Sequence, residues 1–290
     1  MAGMVAWLTA GVAIACRRPP GWRAVSVVAI CVAWIVWSMQ APRNDHEWNP
    51  DQSRLPDVTF NDDATVLVHN VRNTTYRTET DFDVNWEARS YDLNQLCSVD
   101  LVVEPFATWR GLAHTFLTFG FENGDHLAIS AEIRKEKGES YSPIKGLFRQ
   151  YELMYVAGDE RDLIGLRCCF RRNPVYLFPV NVTQEQTRKL FVAMLRRMNR
   201  LRDKPEFYNT LTNTCASNIV RHLNPLRERP IPWDWRVFFP GYADALAYDL
   251  DLLKGSGSLA SLRKQCLING RAGQAPIGDW SRKIRRLARE

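Results

Sequence analysis

Ala113-His-Thr-Phe-Leu-Thr-Phe-Gly120 and Leu127-Ala-Ile-Ser-Ala-Glu-Ile133 are two runs rich in apolar, aromatic and β-branched residues, and they predict two consecutive strands. Asn123–Asp125 lies between them and has the composition of a tight turn. The two strands should therefore pair as an antiparallel hairpin. In that arrangement the start of the first strand, at His114, lies beside the end of the second strand, at Glu132.

Runs of similar composition on both sides of this hairpin extend it into a larger sheet. Each run is short and is bounded by turn residues. They are Thr65–Val71, Val99–Glu104, Leu153–Ala157 and Val175–Val180. Because strands precede helices instead of alternating with them, the pattern indicates an α+β fold and not a doubly wound one.

Three helices are predicted in the last third of the chain. Thr183 and Gln186 form a capping box at the start of the first, and Pro225 should end the second. The helices are predicted over Thr183–Leu201, from Thr212–Asn213 through His222, and over Asp244–Lys254. Together, the strands and helices of residues 58–262 should form one domain.

The composition excludes several classes of protein. With 290 residues, 46% of them hydrophobic, the chain buries a large core and is not intrinsically disordered. Its 16 Gly and 15 Pro residues exclude a collagen-like protein. A mean hydropathy of −0.30 excludes a protein that consists mainly of membrane spans. The sequence contains no CxxC pair and no Cys/His spacing typical of zinc, so we expect no metal and no cofactor.

The first 39 residues are predicted to form a transmembrane hairpin, with spans of about residues 1–16 and 22–39. Each apolar run is slightly short of the roughly 20 residues that cross a bilayer. The three Arg residues of this region lie in the turn between the runs, which places the turn in the cytoplasm. A cleavable signal peptide would have its basic residues before the apolar run. We therefore expect the soluble domain and both termini on the far side of the membrane, which is the periplasmic side if the membrane is a bacterial inner membrane; the hairpin leaves a eukaryotic or archaeal membrane open as the alternative.

The net charge of +6 is unevenly distributed. Residues 1–39 contain three Arg and no acidic residue, and residues 263–290 contain eight basic and two acidic residues. The body between them, residues 40–262, is therefore net acidic. An acidic body argues against nucleic acid as a partner.

Two segments flank the body. Residues 40–57 are polar and contain three Pro, so they are predicted to form a linker. The basic C-terminal tail, residues 263–290, carries Trp280, Ile284 and Leu287 at helical spacing. This tail could lie on anionic lipid or dock as a helix on the domain, and the sequence leaves both alternatives open.

Cys215 is the candidate nucleophile. It lies close to the predicted start of the second helix, where the helix dipole and the unpaired N–H groups lower the pKa of a thiol. The same N–H groups can hold an oxyanion. The alternative is a small buried Cys without a chemical role. The chain after residue 39 contains five of the seven Cys residues, an odd number, so at least one of these thiols stays free or pairs with another molecule.

A thiol nucleophile needs a base, and His114 is the candidate. His222 follows Cys215 by seven residues on the same predicted helix, about 10 Å along the axis, so it is too distant. Glu132, brought near His114 by the hairpin, could orient the imidazole as the third group of a triad. The alternatives are a core histidine and a surface carboxylate paired with Arg134.

Several blocks of this sequence resemble the family called the Lnb N-terminal periplasmic domain. The resemblance covers about residues 86–250. The blocks are Gly111–Phe119, Ile129–Arg134, Gly138–Tyr155, Asp159–Ile164, Val175–Pro179 and Pro205–Cys215. The order His, Glu, Cys is also similar to the circularly permuted branch of the papain-like NlpC superfamily, which includes lecithin:retinol acyltransferase.

The resemblance implies a papain-like fold of the permuted NlpC type and a periplasmic thiol enzyme. The named member of the family N-acylates bacterial lipoproteins. Carried over by position, the resemblance implies Cys215 as nucleophile, His114 as base and Glu132 as the orienting residue. In the family pattern the Cys directly follows an Asn, whereas here Thr214 lies between Asn213 and Cys215.

The leading functional hypothesis is acyl transfer at the outer face of the inner membrane. The Cys215 thiolate would attack an acyl ester of a phospholipid or lipoprotein, and water or an amine would resolve the resulting thioester. The alternatives are a cysteine peptidase or amidase that acts on cell-wall or exported peptides, and a non-catalytic, membrane-tethered binding module. Arg149, Tyr151, Glu152 and Arg161 are candidates for substrate binding or for a structural ion-pair network.

Overall fold

A mostly antiparallel sheet organises the protein. The computed structural model describes residues 20–61, 64–273 and 279–285. Its strands are β1 Asp57–Phe60, β2 Thr65–Arg72, β3 Thr75–Tyr76, β4 Phe82–Asp83, β5 Trp86–Asp92, β6 Leu96–Pro105, β7 Ala113–Phe121, β8 His126–Arg134, β9 Glu152–Gly158 and β10 Tyr176–Pro179. Eight of them form one sheet in the order β1-β2-β9-β8-β7-β6-β10, with β5 also paired to β2, while β3 and β4 form a separate ribbon.

Most of the helices follow the strands in sequence, as predicted for an α+β protein; one precedes the first strand and one lies between β9 and β10. They are α1 Pro20–Ser38, α2 Glu160–Gly165, α3 Gln184–Asp203, α4 Cys215–Leu223, α5 Ala243–Asp249, α6 Leu259–Cys266, α7 Asn269–Ala272 and α8 Trp280–Arg285. Helix α2 continues into a π-helical turn, Leu166–Phe170. The mixed α+β class is thereby confirmed.

The central hairpin has the register that the sequence predicts. Thr118 lies opposite Ala128, and Phe119 lies opposite Leu127. Both faces of the hairpin are covered, because Phe119 packs in a core cluster with α3 and α4, whereas Phe116 packs in a second cluster that includes residues of α2 and α8. Strand β7 is therefore buried over nearly its whole length, which explains its continuous apolar sequence.

Two predicted helix boundaries differ from the structure. Helix α4 begins at Cys215 and not at Thr212–Asn213, because Thr214 is the N-cap. Helix α5 ends at Asp249 and not at Lys254, because Asp251 adopts a positive φ of 56°. Beyond that residue the chain is extended, and Leu253 forms a bridge to Val180. The capping box of α3, in contrast, is present as predicted.

The segment predicted as a linker, residues 40–57, packs on the sheet. The side chain of Gln52 is buried, and its Nε2 donates to the Ile133 carbonyl at 3.1 Å. The guanidinium of Arg134 donates to the Gln52 and Ser53 carbonyls, both at 3.0 Å. These bonds fix the segment along the end of β8.

Helix α1 coincides with the second predicted span, 22–39, and the first predicted span, 1–16, lies outside the described residues. Neither α1 nor any other helix within the described ranges combines the length and hydrophobicity that a membrane span requires.

The described part of the basic C-terminal tail docks on the body. Trp280 and Ile284 of α8 are 6% and 0% exposed. Arg285 forms ion pairs with Glu160 at 2.5 Å and with Asp100 at 2.8 Å. The apolar side of α8 is therefore buried in the protein and is not available to lipid. Leu287, the third residue of the predicted apolar stripe, lies outside the described residues.

Candidate active site

Cys215 is the first residue of α4. Thr214 caps this helix through a capping box, in which the Ser217 N–H donates to Thr214 Oγ1 at 3.1 Å and the Thr214 N–H donates to Ser217 Oγ at 2.7 Å. Asn213 anchors the preceding loop, because its Nδ2 donates to the Phe207 carbonyl at 2.9 Å. Thr214 between Asn213 and Cys215 therefore supplies the cap, and the thiol lies at the positive end of the helix dipole.

His114 lies near the beginning of β7, where α4 packs against the sheet. Its Nε2 lies 2.6 Å from Ser130 Oγ, and that hydroxyl donates to Glu132 Oε1 at 2.8 Å. The direct separation of His114 Nε2 and Glu132 Oε1 is 3.6 Å. Ser130 therefore bridges the imidazole and the carboxylate. The hairpin brings Glu132 to His114 as predicted, and Glu132 does not pair with Arg134.

Arg167 holds the carboxylate from the other side. Its Nη2 donates to Glu132 Oε1 at 2.9 Å, its Nε pairs with Glu104 Oε2 at 2.7 Å, and its Nη1 donates to the Leu163 carbonyl. Arg167 is 4% exposed, and its guanidinium lies 5.0 Å from the centre of the Phe116 ring. A buried cation is therefore fixed against Glu132 by several contacts.

The electrostatics of the site favour an ion pair between the thiol and the imidazole. Burial acts to raise the pKa of Cys215. The hydrogen bond and the charge of His114 outweigh burial and lower this pKa, and the backbone N–H groups of Thr115 and Ala216 lower it further. Burial acts to lower the pKa of His114, but Cys215 and then Glu132 raise it to about 9. The arrangement therefore favours a thiolate beside an imidazolium.

Glu132 is ionised in this arrangement. Burial acts to raise its pKa, but the hydrogen bond with His114 and the charges of Arg167 and His114 lower it well below the usual value. The carboxylate can therefore stabilise a charged His114. The sequence reasoning missed Ser130 and Arg167 as site residues. The alternation of β8, which puts residues 130 and 132 on one face, contained the signal for Ser130, whereas no local pattern identifies Arg167.

Cys215 and His114 line a cleft of about 680 Å³. One wall is aromatic, because Phe106 contacts Tyr141 with ring centres 6.1 Å apart and Trp109 contacts Phe239 at 5.0 Å. The other wall is charged. Its ion pairs are Arg171–Glu79 at 2.9 Å, Arg72–Asp51 at 3.6 Å and Arg167–Glu104 at 2.7 Å. The cleft is therefore suited to a molecule with both apolar and charged parts.

The four predicted substrate-binding residues do not line this cleft. Tyr151 is fully buried, and its hydroxyl donates to the Ser140 carbonyl at 2.7 Å. Glu152 accepts a hydrogen bond from the Arg43 N–H, and Arg161 pairs with Asp159 at 3.6 Å. Arg149 lies over the Trp37 ring at 4.5 Å. In this structure all four have packing contacts away from Cys215, so the cleft residues replace them as candidates.

The site contains no arrangement typical of a metal centre. Among the residues that the structure describes, no group of three or more His, Cys, Asp or Glu side chains is placed to hold a metal ion. The cleft itself presents thiol, imidazole, carboxylate and guanidinium groups.

Comparison with known proteins gives one match. The model of the family described as the Lnb N-terminal periplasmic domain matches residues 82–241, which is more than half of the chain. The matched region includes His114, Ser130, Glu132, Arg167 and Cys215. No curated protein and no solved structure matches the chain.

Proposed function

The chain belongs to the Lnb N-terminal periplasmic domain family, and we propose that it is a membrane-anchored periplasmic thiol enzyme that transfers or hydrolyses acyl groups through a thioester on Cys215. The observation that carries this proposal is the Cys215–His114 pair at the cleft, with His114 linked through Ser130 to Glu132. A nucleophile, a base and an orienting carboxylate are the groups that acyl transfer by a thiol needs.

In the proposed reaction the Cys215 thiolate attacks the carbonyl carbon of an acyl ester. The N–H groups at the start of α4 stabilise the oxyanion that forms. His114 then donates its proton to the departing alkoxide, leaving the acyl group on Cys215 as a thioester. In the second half, neutral His114 takes a proton from an amine or water that attacks the thioester, and the thiolate leaves as the imidazolium is restored.

The shape of the cleft supports an amphiphilic acyl donor. The aromatic wall can pack against acyl chains, and the charged wall can bind a polar head group. A separate apolar cavity is lined in part by Thr115, Ala216, Ile219 and Leu117. Since Ala216 directly follows Cys215, this cavity lies close to where an acyl chain would be attached. A phospholipid or lipoprotein would present both chemical parts.

We further propose that residues 1–39 anchor the enzyme in the bacterial inner membrane as a two-span hairpin with the catalytic body in the periplasm. The exposed apolar side chains of α1 support a lipid contact, since Val25, Val28 and Val32 are 59%, 61% and 53% exposed. Fractionation of the full chain and of a chain that lacks residues 1–39 tests this anchor. Recovery of the full chain in a soluble fraction would contradict it.

The order of the site residues supports a permuted papain-like fold, because the base and its carboxylate lie on consecutive strands and the thiol lies later, at the start of a helix. Such a site also serves peptide hydrolysis. The charged wall, with Arg171 and Glu79 exposed to the cleft, supports a cysteine peptidase or amidase as the second candidate. A non-catalytic binding module remains the alternative if the thiol is inert.

An acyl-type activity probe separates an enzyme from a binding module. We expect the probe to label Cys215 in the full chain and not in Cys215→Ala, with strongly reduced labelling in His114→Ala. Equal labelling of all three proteins would exclude catalysis at this cleft. Mass spectrometry of Cys215 after incubation with phospholipid or with cell-wall peptides then separates the two enzymes. A fatty-acyl adduct supports transfer, and a peptide-derived adduct supports the peptidase.

A further inference from the structure

Two neighbouring thiols directly follow Arg167 in the chain. Cys168 and Cys169 belong to the π-helical turn Leu166–Phe170, and their Sγ atoms are 3.5 Å apart. Both are free thiols, Cys168 buried and Cys169 partly exposed. The proposed reaction uses neither thiol.

The residue before this pair is Arg167, the cation that holds Glu132. Its backbone is part of the same turn, because the Arg171 N–H donates to the Leu166 carbonyl at 2.9 Å and the Asn173 N–H donates to the Arg167 carbonyl at 3.0 Å. Single π-helical turns are rare and occur frequently at functional sites. A change in the backbone at residues 168 and 169 therefore acts on Arg167 directly.

We propose that Cys168 and Cys169 form a redox-sensitive dithiol, and that its closure to a disulfide displaces Arg167 from Glu132 and slows the chemistry at Cys215. The formation of the disulfide is independent of the proposed function, whereas the effect on Cys215 rests on it. The periplasm, where this family of domains is found, is a compartment in which protein disulfides form and persist.

The thiols are suited to exchange with a protein disulfide. The hydrogen bond from Cys168 lowers the pKa of Cys169 to about 7, with burial opposing this change, so Cys169 is the attacking thiol. Its thiolate attacks one sulfur of the oxidant and releases the other as a thiolate. Cys168 then loses its proton and attacks Cys169 Sγ, which expels the second thiolate. Two electrons and two protons thereby pass from the pair to the oxidant, which becomes a dithiol.

The ring that forms is strained. Adjacent Cα atoms are about 3.8 Å apart, less than the roughly 4.4 Å minimum usual for a disulfide. The turn must therefore distort when the ring closes, and strained disulfides are easily reduced. These properties suit a reversible switch and not a permanent cross-link. When Arg167 moves, Glu132 loses its buried cation and Ser130 loses a fixed acceptor, so the imidazole is no longer held.

The test uses the full-length protein equilibrated with oxidised or reduced glutathione and then treated with an alkylating agent in acid. Peptide mass mapping should show that the peptide with Cys168 and Cys169 loses two hydrogen atoms in the oxidised sample and resists alkylation. The rate at which Cys215 reacts with the acyl-type probe should fall roughly tenfold, the change that corresponds to one pKa unit of lost stabilisation. Reduction should restore the rate.

Cys169→Ser should abolish both the ring and the loss of rate. Cys97→Ser, which removes an exposed thiol on β6, should leave both unchanged. Two free, alkylatable thiols under oxidising conditions would overturn the proposal. So would a ring that forms without any change at Cys215, or a loss of rate that persists in Cys169→Ser.

A second readout separates this proposal from the proposed function. In Cys215→Ala, which can do no thiol chemistry, the His114 imidazole can be titrated by NMR with the dithiol open and closed. A shift of the titration midpoint on oxidation supports the coupling, and identical midpoints overturn it. An inert Cys215 in the reduced wild-type protein would count against the proposed function alone.

Discussion

Nε2 of His114 lies 2.6 Å from Oγ of Ser130, and this contact makes the serine hydroxyl the link between the imidazole and Glu132. In this geometry Ser130 accepts a hydrogen bond from His114 and donates one to the carboxylate. The hydroxyl therefore fixes the tautomer in which Nε2 carries the proton. Nδ1 is then the ring nitrogen left to interact with the thiol. Ser130 is a positioning residue in this scheme, because it acts through His114.

Ser130→Ala should slow the reaction of Cys215 with the acyl-type probe by roughly tenfold, because it removes about one pKa unit of support for the imidazolium. The measurement is the pH dependence of labelling, whose basic limb should move to lower pH. Ser130→Thr keeps the hydroxyl and should recover most of the rate. An equal loss of labelling rate in both variants, with no change in the pH profile, would indicate that Ser130 acts only in packing.

Glu132→Gln should shift the pH profile of acyl-enzyme formation. The rate of the step that needs the His114 proton falls as the pH rises through the pKa of His114, about 9. Since Glu132 raises that pKa, its neutral replacement should move the fall in rate to lower pH. The surface carboxylate Glu136 provides the matched control, and Glu136→Gln should leave the profile unchanged. An unshifted profile in Glu132→Gln would show that the carboxylate does not support His114.

Gly111→Ala should weaken the binding of an amphiphilic acyl donor, because a Cβ at this position would lie 2.4 Å from the Trp109 indole. The indole must then leave its place in the aromatic wall of the cleft. Trp109→Ala removes the same side chain, so both variants should raise the KM for the donor with less effect on kcat. Trp233→Ala, which changes a ring that is 81% exposed and does not line the cleft, is the control. Equal KM values in all variants would show that this wall does not bind the donor.

Arg285→Met should lower the free energy of unfolding at neutral pH by about 3–5 kcal/mol, the usual cost of leaving a buried charge without its partner. The charge left without its partner is Glu160, which is 1% exposed. Arg282→Met, which changes an exposed arginine of the same helix, should have little effect. Urea unfolding of the two variants provides the measurement, and equal stability would show that α8 does not depend on the buried pair.

The pH dependence of this variant follows from the pKa of Glu160. Burial acts to raise it, but the charge of Arg285 outweighs burial and lowers it to about 2. The folded pKa is below the ordinary value of 4.5, so the pair stabilises the protein above that value and loses its effect as pH falls toward 2. In Arg285→Met the carboxyl can become protonated in the fold. The difference between wild type and variant should therefore shrink as pH falls below 4.5, and a constant difference would contradict this assignment.

The sequence predicts much of the fold because its signals are local. The strand hairpin of β7 and β8 follows from composition and a turn, and the start of α3 follows from a capping box at Thr183. The end of α5 was predicted wrongly, because Leu252 and Leu253 contribute to the core as extended chain. A long-range contact here overrides a local helical pattern, and such contacts are not encoded in neighbouring residues.

The candidate site divides in the same way. Cys215, His114 and Glu132 can be selected from the sequence, because each depends on a helix start or on the register of one hairpin, and both are local properties. Arg167, its contact with Glu104, and the placement of Tyr151 and Glu152 away from the cleft depend on which distant elements pack together. The sequence by itself therefore determined the thiol, imidazole and carboxylate of the candidate site. The tertiary structure decided which buried charges hold these groups in place, because burial and ion pairing arise only when the sheet and helices assemble.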